Sequence, residues 1–236
     1  MPYLSHQGLS IYYEVHGGGE PFVLILGLGS DITNYDWMIQ ELARHYRVIA
    51  FDNRGAGRTD KPRDGYSIAQ MTDDLEGLLE ELSVTKARVL GISLGSRIAV
   101  DLSVRFPQRV RDLILVSVLA RRVVEQRMSL PLRLSFFVRL IPGFRPQFRQ
   151  PWHAFVKQHA AALDYDSVAQ AAHISVPTLI LHGRRDLTAA YRGAEEIRRA
   201  IPGSRLVSFE GGHSFFRSDE QRAFFQEVLA DAQISR

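Results

Sequence analysis

Cysteine is absent from the 236 residues, which excludes disulfides, a thiol nucleophile and any cysteine-ligated metal. Also missing is any apolar run of about 18 residues, so no membrane-spanning helix is expected. Met1-Pro2-Tyr3-Leu4-Ser5-His6 lacks the charged and apolar regions of a secretory signal, and the two absences together point to a cytoplasmic protein. No P-loop, H-E-x-x-H or calcium-loop pattern occurs, so neither a metal nor a cofactor is expected. Gly27-Leu28-Gly29 opens like a dinucleotide loop, but Ile32 stands where the third glycine would be. A dominant charge is lacking too: 29 Lys+Arg face 26 Asp+Glu, a net +3, and this balance argues against a nucleic-acid partner. There is no internal repeat and no low-complexity tract.

What the chain does have is an alternation of buried-type strands and amphipathic helices. Leu9 to Val15 alternates as a half-exposed strand. Phe22 to Leu26, Tyr46 to Phe51, Ala87 to Leu90, Asp112 to Val116 and Thr178 to Leu181 read as fully buried strands, and Arg205 to Phe209 as a last one. Helical patterns cover Asp36 to His45, Ser67 to Leu82 with a Ser67…Gln70 capping box, Leu94 to Phe106, Tyr191 to Ala200 and Gln221 to Ala232. The expected fold class is α/β, a mostly parallel twisted sheet with helices on both faces. From about Leu119 to His173 the rhythm breaks into a helical pattern interrupted by Pro131, Pro142, Pro146 and Pro151. We therefore expect one domain built from residues 1–118 and 174–236, with a helical lid at 119–173.

The chemistry is concentrated at one strand-to-helix junction, Gly91-Ile92-Ser93-Leu94-Gly95. A serine between two glycines at such a junction reads as a nucleophile elbow: small neighbours allow a sharp strained turn, and the turn lifts the hydroxyl above the sheet edge. The Leu94 N–H, at the start of the next helix, is then aimed at an oxyanion formed on attack by Ser93. The plainer reading, Ser93 as a helix N-cap, requires neither glycine.

A serine hydroxyl needs a base, and the base needs a partner that fixes its tautomer. Of eight histidines, His213 follows Gly211-Gly212 directly after a strand, in a loop that leads to the carboxyl edge of the sheet. His182, by contrast, reads as the tail of an apolar strand. For the acid, Asp186 lies just beyond Thr178 to Leu181 on the same edge, whereas Ser117-Val118-Leu119-Ala120 after the preceding strand offers no carboxylate. A second reading makes Asp186 the N-cap of a segment beginning near Thr188.

The order Ser…Asp…His, with each member just past a strand, resembles the α/β-hydrolase superfamily. Phe22-Val-Leu-Ile-Leu-Gly-Leu-Gly-Ser, Phe51-Asp-Asn-Arg-Gly-Ala-Gly-Arg-Thr, Gly91-Ile-Ser-Leu-Gly, Val176-Pro-Thr-Leu-Ile-Leu-His-Gly-Arg-Arg-Asp and Gly211-Gly-His are similar to its landmark segments. The likeness is to the small lidded esterases, enol-lactonases and cofactor-free perhydrolases of that group. It implies that the Leu28 N–H is the second oxyanion donor. The chain departs from the pattern at Leu26-Gly27, where His-Gly is frequent, at Ser96, where a second glycine is common, and at Leu187-Thr188-Ala189, where a proline-containing turn is usual.

Within the lid, Leu134, Phe137, Val138 and Ile141 share one helical face, which either rests on the core or lines an apolar acyl pocket. Arg121, Arg122, Arg127, Arg133, Arg139, Arg145 and Arg149 oppose a single acid, Glu125, and suggest an anionic substrate or peripheral contact with an anionic surface. The expected function is a serine hydrolase for a carboxylic ester or lactone with a hydrophobic acyl part, with Ser93, Asp186 and His213 as the catalytic residues. Two alternatives stand beside it. One is a carbon–carbon bond hydrolase with the same residues; the other is a slow or non-catalytic ligand sensor, which the turn after Asp186 and Ser96 would favour.

Overall fold

A computed structural model describes residues 2–120, 148 and 150–230. Eight strands form one sheet in the order β1-β2-β4-β3-β5-β6-β7-β8. They are β1 (Tyr3–His6), β2 (Leu9–His16), β3 (Pro21–Ile25), β4 (Arg47–Phe51), β5 (Ala87–Ile92), β6 (Val110–Val116), β7 (Thr178–Gly183) and β8 (Arg205–Phe209). From β4 onward across the sheet every pairing is parallel, and only the β1–β2 and β2–β4 pairings are antiparallel. The short edge strand β1 was not foreseen; its four residues carry too little alternation to be seen without the partner strand.

The helices are α1 (Asp36–Leu42), α2 (Ile68–Glu81), α3 (Leu94–Arg105), α4 (Trp152–Asp164), α5 (Ser167–Ala171), α6 (Tyr191–Ala200) and α7 (Gln221–Leu229). Because side chains alternate along a strand, the apolar runs feed two cores at once. Val23, Ile25, Val89, Leu113 and Leu115 pack with α2, α3 and α6. Phe22, Leu24, Leu90, Ile114 and Val116 pack with α1 and α7 on the other face.

Two helix ends differ from expectation. Helix α1 stops at Leu42 rather than His45, because Arg44 and His45 close tighter bonds to Glu41 and Leu42. Helix α7 stops at Leu229, where Ala230 turns extended. At α2 only half of the capping box forms: Ser67 accepts from the Gln70 N–H, while the Gln70 side chain reaches Gln7. Charged side chains enter the core as well, among them the pairs Arg54–Asp74 and Arg88–Asp112. Arg88 on β5 is spent on Asp112 at 2.7 Å, the Tyr46 hydroxyl at 2.8 Å and the Val228 carbonyl at 3.0 Å, so its burial leaves no orphaned donor among these groups.

Candidate active site

Parallel strands end on one edge, and β5, β7 and β8 deliver three loops there. At the end of β5, Ser93 adopts φ 55° and ψ −113°, a conformation that side chains rarely take. The glycines are sterically required: a Cβ on Gly91 would overlap the Gly95 carbonyl, and one on Gly95 would overlap the Ile25 carbonyl. Ser96, standing where a second glycine is common, donates its hydroxyl to the Ser93 carbonyl at 2.6 Å, alongside the Ser96 N–H at 2.9 Å. It therefore closes the elbow. The Ser93 side chain makes no capping bond to α3, so it does not play the N-cap role.

The hydroxyl faces His213 instead. Ser93 Oγ lies 3.0 Å from His213 Nε2, and His213 Nδ1 lies 2.7 Å from Asp186 Oδ2. His213 is carried by a loop that is tied down at several points. Glu220 accepts from the Gly211 N–H at 2.8 Å, Ser117 donates its hydroxyl to the His213 carbonyl at 2.8 Å, and Arg185 N–H donates to Gly211 at 3.0 Å. Phe215 stacks on Phe209 below the loop.

Asp186 faces His213 and braces the turn that follows it, but it caps no helix, because α6 begins only at Tyr191 with Ala190 at its N-cap. Its Oδ1 accepts from the Thr188 and Ala189 N–H groups, each at 2.8 Å, and its Oδ2 faces His213. The altered residues after Asp186 thus supply two amides that orient the carboxylate. Burial pushes its pKa upward, but the bonds from His213, Ala189 and Thr188 outweigh this and hold it below the ordinary aspartate value. The group is an anion placed to orient an imidazole and to stabilise its protonated form.

The loop after β3 lies against the serine: a Cβ on Gly27 would stand 3.5 Å from that of Ser93. Leu28 follows Gly27 in this loop, and Leu94 begins α3 directly after Ser93.

Sequence reasoning missed the residues that hold these loops. His182 is buried and donates from Nε2 to the Ala189 carbonyl at 2.7 Å, bracing the Asp186 turn; burial lowers its pKa and keeps the ring neutral. Ser117, dismissed for lacking a carboxylate, anchors the His213 backbone. Asn53 donates to the Leu26 carbonyl at 3.0 Å, and Gln158 on α4 accepts from the Gly29 N–H at 3.3 Å. None has a local sequence signal, since each acts across 27 or more residues or through a turn. The lid positions Leu134, Phe137, Val138 and Ile141, and the arginines Arg121, Arg122, Arg127, Arg133, Arg139, Arg145 and Arg149, lie outside the described residues. Among the described residues no cluster of metal-ligating side chains occurs, and no helix is long and apolar enough to cross a membrane.

Comparison with known proteins bears on the same architecture. A family model described as the alpha/beta hydrolase fold matches residues 15–155. The chain is 27% identical to the AB hydrolase superfamily protein YisY of Bacillus subtilis, over 92% of this chain and 94% of that one. It is 26% identical to the 2-hydroxy-6-oxo-2,4-heptadienoate hydrolase of Pseudomonas putida, covering 90% and 88%. An esterase from Exiguobacterium antarcticum superposes with a TM-score of 0.86 at 25% identity, covering 98% of each chain.

Proposed function

The chain belongs to the α/β-hydrolase family, and from that premise we propose that it is a serine hydrolase cleaving a carboxylic ester or lactone through an acyl-enzyme. The observation that carries the reading is the continuous path Asp186 Oδ2–His213–Ser93 Oγ, with separations of 2.7 and 3.0 Å. Asp186 accepts from Nδ1–H, which leaves Nε2 bare toward the hydroxyl, the tautomer a general base needs.

In this reading Ser93 Oγ bonds to the substrate carbonyl carbon as its proton passes to His213 Nε2. The charge on the carbonyl oxygen is met by the N–H groups of Leu28 and Leu94. Collapse breaks the bond to the leaving oxygen, which takes the proton from His213. In an ester the alcohol departs; in a lactone it stays tethered to the acyl group. Water then adds to the acyl-enzyme with His213 as base, and the acid is released with Ser93 and His213 restored. The apolar positions Leu134, Phe137, Val138 and Ile141 are the sequence feature that favours a hydrophobic acyl part.

The likeness to the P. putida heptadienoate hydrolase supports a second reading, hydrolysis of a carbon–carbon bond beside a ketone by the same three residues. The ligand-sensor alternative loses its two motivating features, because Ser96 closes the elbow and the turn after Asp186 supplies amides that orient its carboxylate. The test is hydrolysis of short p-nitrophenyl esters by Ser93→Ala, expected to lose about a thousandfold or more in kcat with little change in Tm. Retention of a tenth of the activity refutes Ser93 as nucleophile. An inactive wild type that cleaves a vinylogous diketone, through Ser93, favours the carbon–carbon reading.

A further inference from the structure

The loop that carries Leu28 is a four-residue turn, closed by the Ser30 N–H on the Gly27 carbonyl at 3.2 Å. Gly29, its third residue, has φ +63°, so the central Leu28–Gly29 peptide is held in the orientation that only a glycine-type residue tolerates readily. A turn of this kind has a competing form in which that peptide rotates by about half a turn while the flanking peptides keep their directions. The Leu28 N–H belongs to the Gly27–Leu28 peptide, so its place depends on where the whole turn is held against Ser93.

Two buried amide side chains hold the turn, one on each side of Leu28. Asn53 Nδ2 donates to the Leu26 carbonyl at 3.0 Å, and Gln158 Oε1 accepts from the Gly29 N–H at 3.3 Å. The clamps are joined to each other, because Gln158 Nε2 donates to the carbonyl of Arg54, the neighbour of Asn53, at 2.7 Å. Gln150 Nε2 also donates to Gln158 Oε1, at 2.8 Å. Gln158 is fully buried, with both lone-pair directions of its oxygen and one amide hydrogen engaged. It sits on α4, a helix separate from the sheet edge that carries Ser93, Asp186 and His213.

We infer that Gln158 is a positioning residue for transition-state stabilisation: by tethering the Gly29 N–H to α4 it holds in place, against Ser93, the turn that carries the Leu28 N–H, and it makes α4 part of the catalytic geometry. This rests on the serine-hydrolase reading above.

The test uses two variants whose expected orders of activity and stability are opposed. Gln158→Met keeps the volume and removes every hydrogen bond. Gln158→Glu keeps an acceptor for Gly29 but sets a buried acid against the Arg54 carbonyl, so it is the less stable of the two. The rate of Ser93 phosphonylation by a fluorophosphonate, resolved into kinact and KI, is measured with kcat and KM for a p-nitrophenyl ester. Loss of a whole oxyanion donor costs about a hundredfold to a thousandfold in kcat; a misaimed one should cost about tenfold to a hundredfold. Gln158→Met should show that loss in kcat and kinact, with KM and KI within about twofold. Gln158→Glu should keep more activity than Gln158→Met despite a lower Tm. Activity that follows Tm in both variants, or an unchanged kinact in Gln158→Met, overturns the inference. Failure of the wild type to be labelled at Ser93 overturns the serine-hydrolase reading instead.

Discussion

Backbone strain at Ser93 makes a prediction about stability whose sign is the test. With φ 55° and ψ −113° on a residue bearing a Cβ, the elbow stores about 1–3 kcal/mol, held in place by the close approach of Gly91 and Gly95 to neighbouring backbone. Replacing Ser93 by Ala or by Gly removes the same hydroxyl and the same contact with His213, so both variants lose hydrolysis and share that part of the stability change. They differ only in the Cβ. On ordinary backbone the Gly variant would be the weaker by about 0.5–1 kcal/mol, because glycine loses more freedom on folding. Here relief of strain should exceed that term, leaving Ser93→Gly more stable than Ser93→Ala by about 1 kcal/mol, or about 2–4 °C in Tm for a chain of this size. Urea and thermal unfolding followed by circular dichroism measure the difference. If Ser93→Gly is the less stable variant, the elbow is not strained and the reasoning from Gly91 and Gly95 fails.

Asp186 and His213 should act as one unit: the double variant Asp186→Asn/His213→Ala should fall within about threefold of His213→Ala in kcat, whereas multiplied losses would place the role of Asp186 elsewhere. Asp52 should mark the stability profile. Burial pushes its carboxyl up to about 6, against the N–H groups of Arg58 and Ile32 that favour the anion. The folded protein therefore binds more protons than the unfolded one between about pH 4 and 6, and stability contributed by this group falls as pH rises through that window, by about 3 kcal/mol. The stability of the wild type relative to Asp52→Asn should decline accordingly from pH 4 to pH 7, and a flat difference would show that Asp52 titrates normally.

The strands that supply Ser93, Asp186 and His213 are legible in the sequence because each is a dense apolar run ending in a distinctive loop, so periodicity and loop chemistry coincide. Strand β1 lacked that density, and α1 was read too long because its last turn tightens through bonds that no residue type announces. Gly91 and Gly95 were legible because their function is steric and local. Ser117, Asn53, Gln158 and His182 were not, since each is defined by a carbonyl or amide that only the folded chain brings within reach. Ser96 and the Leu187-Thr188-Ala189 turn were read as departures from a pattern. In three dimensions both contribute bonds to the site, a hydroxyl on the Ser93 carbonyl and two amides on Asp186.

The central claim is that Ser93 is a nucleophile activated by His213. Its most direct test is reaction of the purified chain with a fluorophosphonate, followed by intact mass and peptide mapping. The account predicts one adduct per chain, on Ser93, formed at least a hundredfold more slowly in His213→Ala and absent in Ser93→Ala. No adduct, an adduct on another residue, or equal rates with and without His213 would contradict it.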